Sequence, residues 1–133
     1  KLRRPPAETV NLIGLGPGLT PSGDDFLVGV MIAASSIGRN DIVLKLWENI
    51  SISSKLLTGR ISYAQMLAAS RGIGSTTIHQ FIKVLTSQSI SVFDIELNKI
   101  DRIGHTSGWD TIFGCKLILE IWAQSKMGKL NLG

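Results

Sequence analysis

The stretch G-L-T-P-S-G-D-D-F-L-V-G, Gly18 to Gly29, runs straight into V-M-I-A-A-S-S-I-G, ending at Gly38. Its first half is punctuated by glycine and proline, which break regular structure. Its second half carries no charge and nothing polar before Ser35, so a helix is expected from near Asp24 until Gly38 stops it. That helix is apolar all round and belongs at the centre of a domain. A second stretch, G-H-T-S-G-W-D-T-I-F-G from Gly104 to Gly114, repeats the pattern. The two share S-G-x-D-x-x-x-G, which matches Ser22 with Ser107, Gly23 with Gly108, Asp25 with Asp110 and Gly29 with Gly114. Each copy stands at the mouth of an expected helix, as a pseudo-repeat would. Gly29 and Gly114 lie one turn past the aspartates on the same helix face. Small residues there let two helices cross closely and bring the two loops together, or else serve a subunit interface.

Outward from these two helices, the rest also reads as helical. Asn40 is a plausible N-cap for a second helix with Ile42, Val43, Leu46, Trp47 and Ile50 inside. Ser62-x-x-Gln65 has the form of a capping box opening a third helix that ends around Gly72. A fourth begins near Ser75 and buries Ile78, Phe81, Ile82 and Leu85, and a fifth spans about Val92 to Ile103. The sixth runs from near Trp109 to Gln124, with Lys116, Glu120 and Gln124 on its polar side. Period-two alternation is nearly absent. Only Thr9 to Ile13 offers a short N-terminal strand, or an extended lead-in. The expectation is an all-α single domain of about six helices around two central ones. Its bounds are 9–125, between a linker or tail at 1–8 and a C-terminal tail at 126–133. The opening K-L-R-R-P-P is linker-like, so the chain is expected to be the C-terminal part of a longer protein.

Composition removes several function classes. The 133 residues are 44% hydrophobic and 18% charged, too apolar for a disordered chain and enough for one core. No uncharged stretch reaches the roughly 20 residues that a bilayer needs. No signal peptide is legible, and a cytoplasmic setting without membrane contact is expected. The net charge is +4, but Lys1, Arg3, Arg4, Lys126 and Lys129 supply the excess, and the remainder is slightly acidic. No basic stripe interleaved with aromatics is present, which argues against nucleic acid. A single cysteine, Cys115, excludes an intrachain disulfide or a Cys-based zinc site and reads as core filler. Trp47 and Trp122 read as core, and His79 has no evident partner.

The shared motif admits two readings. Locally, Ser22/Asp25 and Ser107/Asp110 are capping boxes, contributing about 1 kcal/mol each to helix starts. Capping does not explain the glycine right after each serine, however, since glycine disfavours a helix by about 1 kcal/mol against alanine. Something approaches the backbone there. The preceding loop has Gly14, Gly16 and Gly18 with Pro17 and Pro21, a chain able to aim several amides at one point beside a helix N-terminus. This second reading is one composite site between two helix N-termini for an anionic or polar substrate. It is neither a Walker loop nor a dinucleotide fingerprint, because no Gly-Lys-Ser/Thr follows and Leu19 stands where a third glycine belongs.

At these residues the chain resembles a known family. G-L-G-P-G-L-T-P-S-G-D-D-F-L-V-G (Gly14 to Gly29) and I-G-H-T-S-G-W-D-T-I-F-G (Ile103 to Gly114) closely resemble two signature segments of a bacterial domain-of-unknown-function family. That family includes the H-type subunit of the allantoin-pathway oxamate carbamoyltransferase. T-G-R-I-S-Y-A-Q-M-L-A-A-S-R-G, Thr58 to Gly72, is similar to a third, weaker block, and the resemblance covers roughly Val10 to Trp122. Members of the family are longer, with an additional N-terminal region. The resemblance implies carbamoyl transfer from carbamoyl phosphate to oxamate, giving oxalurate and phosphate, by a complex with partner subunits or a homo-oligomer. Such chemistry needs a phosphate cradle, a donor to the carbonyl and a fixed acceptor. The amides of Gly16, Gly18, Gly23 and Gly108 are candidates for the cradle, with hydroxyls from Thr20, Ser22, Thr106 and Ser107. His105 is a candidate to polarise a carbonyl or take a proton. Asp25 and Asp110 can orient an amine or hydroxyl. Asp24 joins them at the site, and Trp109 is a candidate wall. Arg60, and after it Arg71, is the interior cation best placed in sequence for a carboxylate or phosphate.

No cofactor and no metal site is expected, with Mg²⁺ on Asp24, Asp25 and Asp110 kept as an alternative. Three functions therefore compete. The chain forms part of a carbamoyltransferase site; it binds a small anion or a partner subunit without catalysis; or it is an Asp-based, metal-dependent hydrolase.

Overall fold

The computed structural model describes residues 7–87 and 107–126, and every described element is helical. A 3-10 helix, Ala7–Leu12, leads into α1 (Ser22–Ser36), α2 (Asn40–Leu57), α3 (Arg60–Ser70), α4 (Thr76–Ser87) and α5 (Ser107–Lys126). The helix expected over 92–103 lies outside the described residues.

Helix α1 is the axis of the fold. Leu27 and the run from Gly29 to Ala34 are buried, as its all-round apolar sequence requires. Its most extensive partner is α5, with α3, α2 and α4 on its other sides. The α1–α5 crossing is made by the two motif glycines. A Cβ on Gly29 would stand 2.0 Å from the Thr111 carbonyl oxygen, and one on Gly114 would stand 2.1 Å from that of Phe26. The contacts are reciprocal. Gly29 faces the Thr111 carbonyl and the Cys115 amide, while Gly114 faces the Phe26 carbonyl and the Val30 amide. Phe26 and Val30 occupy in the first copy the places of Thr111 and Cys115 in the second. The pseudo-repeat is thus a pseudo-symmetric helix pair within one chain. Cys115 is fully buried there, its thiol donating to the Gly29 carbonyl at 3.4 Å, and burial pushes it up to about 12. It is core, as its setting in an apolar helix suggested.

Helices α2 and α4 bury the predicted faces. Ile42, Val43, Leu46 and Ile50 are inside on α2, and Ile78, Phe81 and Ile82 on α4. Trp47, Leu85 and Trp122 pack partly buried against the core, and the Trp47 ring lies 6.1 Å from that of Tyr63 on α3. Gly38 and Gly72, at φ 77°, end α1 and α3 in the left-handed region. Lys116 and Glu120 pair at 3.7 Å on the exposed side of α5.

Four local readings are corrected. Thr9 to Ile13 is no strand: Ala7–Leu12 is 3-10, and the next amides are satisfied locally by Ile13 N–H to Val10 and Leu15 N–H to Leu12. The N-cap of α1 is Pro21, and Ser22 makes no capping bond. The Leu15 carbonyl takes the Gly23 N–H at 3.0 Å, so loop backbone does what a side-chain cap would do. Asn40 is already inside α2, whose N-cap is Arg39; the Arg39 guanidinium instead grips Asp41 at 2.9 and 3.0 Å. Ser62 does not cap α3, which starts at Arg60 after Gly59. Its hydroxyl is drawn to a stronger acceptor, described next.

Candidate functional site

Adjacent aspartates at the start of α1 have opposite fates. Asp24, fully buried, points away from the α1–α5 crossing and accepts three hydrogen bonds. The donors are the Gly14 amide at 2.8 Å and the Thr58 and Ser62 hydroxyls, both at 2.5 Å. One carboxylate thereby ties the glycine-rich loop and the α2–α3 junction to α1. Bonds to an ionised acceptor are roughly twice as strong as neutral ones. Removing one strands part of a buried carboxylate, so Ser62→Ala is expected to destabilise the protein by about 2 kcal/mol in urea unfolding. A change below about 0.5 kcal/mol would mean that Thr58 and Gly14 suffice to hold Asp24.

Asp25 turns the other way. It is 4% exposed, and its Oδ2 has no hydrogen-bond partner among the described residues. Desolvation pushes its carboxyl up to about 7; the Thr20 hydroxyl pulls it back, and the charges of Asp110 and Asp24 add to the rise. Asp25 lines a cavity of about 340 Å³. The walls are Val28 and Ile32 on α1, Gln65 and Ala68 on α3, the 73–75 loop, Ile78 on α4, and Gly108 and Thr111 on α5. A mostly apolar pocket with a few converging polar groups is the usual form of a small-molecule site.

The structure therefore brings parts of both motif copies, Asp25 and Gly108, to one cavity. Asp110 is half-buried and close enough for its charge to act on Asp25. Thr20 and Ser22 are half-buried beside the start of α1. The remaining candidates are arranged differently. Gly23 is explained by its own chain, since a Cβ there would stand 1.8 Å from the Leu12 carbonyl oxygen, and its amide is already engaged by Leu15. The approach to the backbone inferred from this glycine is real, but the approaching group is the 3-10 helix. Gly16 and Gly18 sit on the exposed loop. Arg60 is exposed at the first position of α3, and Arg71 is exposed just past its end. Trp109 is 37% exposed and is not among the residues lining the cavity. His105 and Thr106 lie outside the described residues, and Ser107 opens α5. Among the described residues no group of three or more His, Cys, Asp or Glu is placed to hold a metal ion. Asp24 is already committed to three donors.

Gln65, Ser75 and Thr111 line the cavity and were not singled out from the sequence. Gln65 carried a visible signal, a polar residue within the Thr58 to Gly72 block, but was absorbed into a capping box. Val28 and Ile32 follow Asp25 at i+3 and i+7, a stripe readable only once Asp25 is known to face a cavity.

Fold and site together define an all-α protein built on two copies of one helix-start motif, with a cavity of small-molecule size where the copies meet. The chain belongs to the family of the oxamate carbamoyltransferase subunit AllH, whose family model matches residues 12–119. The matched span contains both motif copies and the Thr58 to Gly72 block. No solved structure matches the chain. The family's name is that of a subunit, which implies partner chains. No described helix is long and apolar enough to cross a membrane.

Proposed function

We propose that the chain works as a subunit of an oxamate carbamoyltransferase, and that the cavity between the starts of α1 and α5 holds one of the enzyme's small reactants. The observation that carries this reading is Asp25, a buried carboxyl with an unpartnered oxygen at a cavity, titrating at about 7. Groups kept in such a state are found disproportionately at functional sites. Two helix starts border the same space, and their partial positive charge suits an anionic reactant. In this assignment Asp25 touches the reactant and Asp110 sets the field around it. Thr20 steadies the Asp25 carboxyl. His105 and Thr106, which immediately precede α5 in sequence, supply the carbonyl and phosphate contacts.

Partner subunits complete the enzyme in this reading. Trp109, Phe113 and Leu117 are exposed at i, i+4 and i+8 along α5, and a subunit contact would cover them. A non-catalytic assembly role would use the same surface without any reactant at Asp25.

The test is oxalurate formation from carbamoyl phosphate and oxamate by the assembled full-length protein. Asp25→Asn is expected to lower turnover about 100-fold or more with assembly intact, the lower end of what a positioned proton acceptor contributes. Turnover within about twofold of the parent would leave the cavity without a part in the chemistry and favour the assembly role.

A further inference from the structure

We propose that Asp25 Oδ2 accepts an amide N–H of the ligand, so that this cavity is the half-site for the carbamoyl acceptor rather than for the phosphate donor. The inference rests on the proposed function, in which the cavity holds a reactant. An enclosed carboxylate oxygen with no partner is an acceptor without a donor, and an ionised carboxylate can only accept. Among the described residues, the charges acting on Asp25 are those of Asp24 beside it and Asp110 on α5, both acidic. From α3, α4 and the joining loop, the lining residues Gln65, Ala68, Ile73, Ser75 and Ile78 carry no charge. An anionic oxygen placed at Oδ2 would meet like charge, whereas an N–H would be drawn in. Gly108 and Thr111 bring the first turn of α5 to the same space, where the helix dipole suits the carboxylate end of such a ligand.

This orientation gives Asp25 a chemical role. A primary amide nitrogen is a weak nucleophile. Its lone pair forms the new C–N bond to the carbamoyl carbon, the C–O bond to phosphate breaks, and phosphate leaves with that electron pair. The proton from nitrogen passes to Asp25 Oδ2.

Isothermal titration of the assembled full-length protein separates the outcomes, using oxamate, which carries both an amide and a carboxylate, and oxalate, which carries only carboxylates. Both probes keep their own protonation between about pH 6 and about pH 8, while Asp25 titrates at about 7. Oxamate is expected to bind about tenfold more tightly at the higher pH, following the ionised fraction of Asp25. Oxalate is expected to weaken, and Asp25→Asn to flatten both profiles. Oxamate affinity that falls as pH rises, and flattens in Asp25→Asn, would overturn the amide contact while leaving a reactant in the cavity. Affinities indifferent both to pH and to Asp25→Asn, or no oxamate binding at all, would overturn the amide contact together with the reading beneath it.

Discussion

Asp25→Asn is expected to make the protein more stable at about pH 8 by about 3 kcal/mol, and less stable near pH 4 by up to about 1 kcal/mol. The sign follows from the direction of the shift. The folded-state carboxyl is raised from 3.8 to about 7, so between those values the folded protein holds a proton that the unfolded chain has released. Its stabilising contribution is fully present below the unfolded value, shrinks as pH rises toward the folded value, and is gone above about 7. About three units at about 1.4 kcal/mol each set a ceiling near 4 kcal/mol. An asparagine amide in need of acceptors in the cavity takes back part of it. Asparagine mimics the protonated carboxyl at every pH, so the variant keeps at high pH what the parent loses. Urea midpoints at the two pH values check this. Equal stability at the higher pH would show that Asp25 ionises there without penalty. A gain in stability alongside lost turnover would mark a carboxylate held against the interest of the fold, the usual relation between stability and function at a working site.

The helical class and the pairing of the two motif copies were legible because both rest on patterns that survive without tertiary knowledge. Uninterrupted apolar residues from Phe26 to Ala34 leave a helix no option but burial, and a glycine one turn past each aspartate signals close crossing. The reading failed where a short polar residue had two uses for one hydroxyl. Ser22 and Ser62 both fit capping sequences. Long-range partners decided otherwise: the Leu15 carbonyl replaced the first cap, and Asp24, 38 residues from Ser62, claimed the second hydroxyl. The same limit applied to the aspartates. Asp24 and Asp25 are neighbours with the same chemistry in sequence, and which is staple and which faces the cavity follows from a 100° step around α1. Gln65, Ser75 and Thr111 come to Asp25 from α3, the 73–75 loop and α5. No local spacing relates them, so the cavity existed only once the helices had packed.

Gly29→Ala is expected to destabilise the protein by at least about 3 kcal/mol, and Gly114→Ala by a similar amount. The new methyl at position 29 would stand 2.0 Å from the Thr111 carbonyl oxygen, 2.9 Å from its carbon and 3.1 Å from the Cys115 amide nitrogen. These are backbone atoms of a helix, so no rotamer change relieves the overlap and the helices must move apart. The displacement opens the packing of Ala33, Cys115 and Ile118, all buried and within about one turn of the two glycines. The dispersion attraction forfeited by these side chains adds to the steric cost. Gly59→Ala is the matching control, because its Cβ direction meets nothing within 4 Å, and it is expected to cost no more than about 1 kcal/mol, the preference of the α3 N-cap for glycine over alanine. The double variant Gly29→Ala/Gly114→Ala discriminates further. Both methyls wedge one crossing, so the separation forced by the first accommodates much of the second, and the combined effect should fall short of the sum by about 1 kcal/mol or more. Full additivity would mean that the two glycines relieve independent contacts and that the reciprocal crossing does not act as a unit. The single variants also bear on Asp25, which lies one turn from the crossing: helices held apart admit water to its carboxyl and return its titration toward 3.8, a shift readable by carboxyl-carbon NMR. If the shift stays near 7 in a folded Gly114→Ala protein, burial by the α1–α5 crossing is not what raises it, and the charges of Asp110 and Asp24 carry more of the effect.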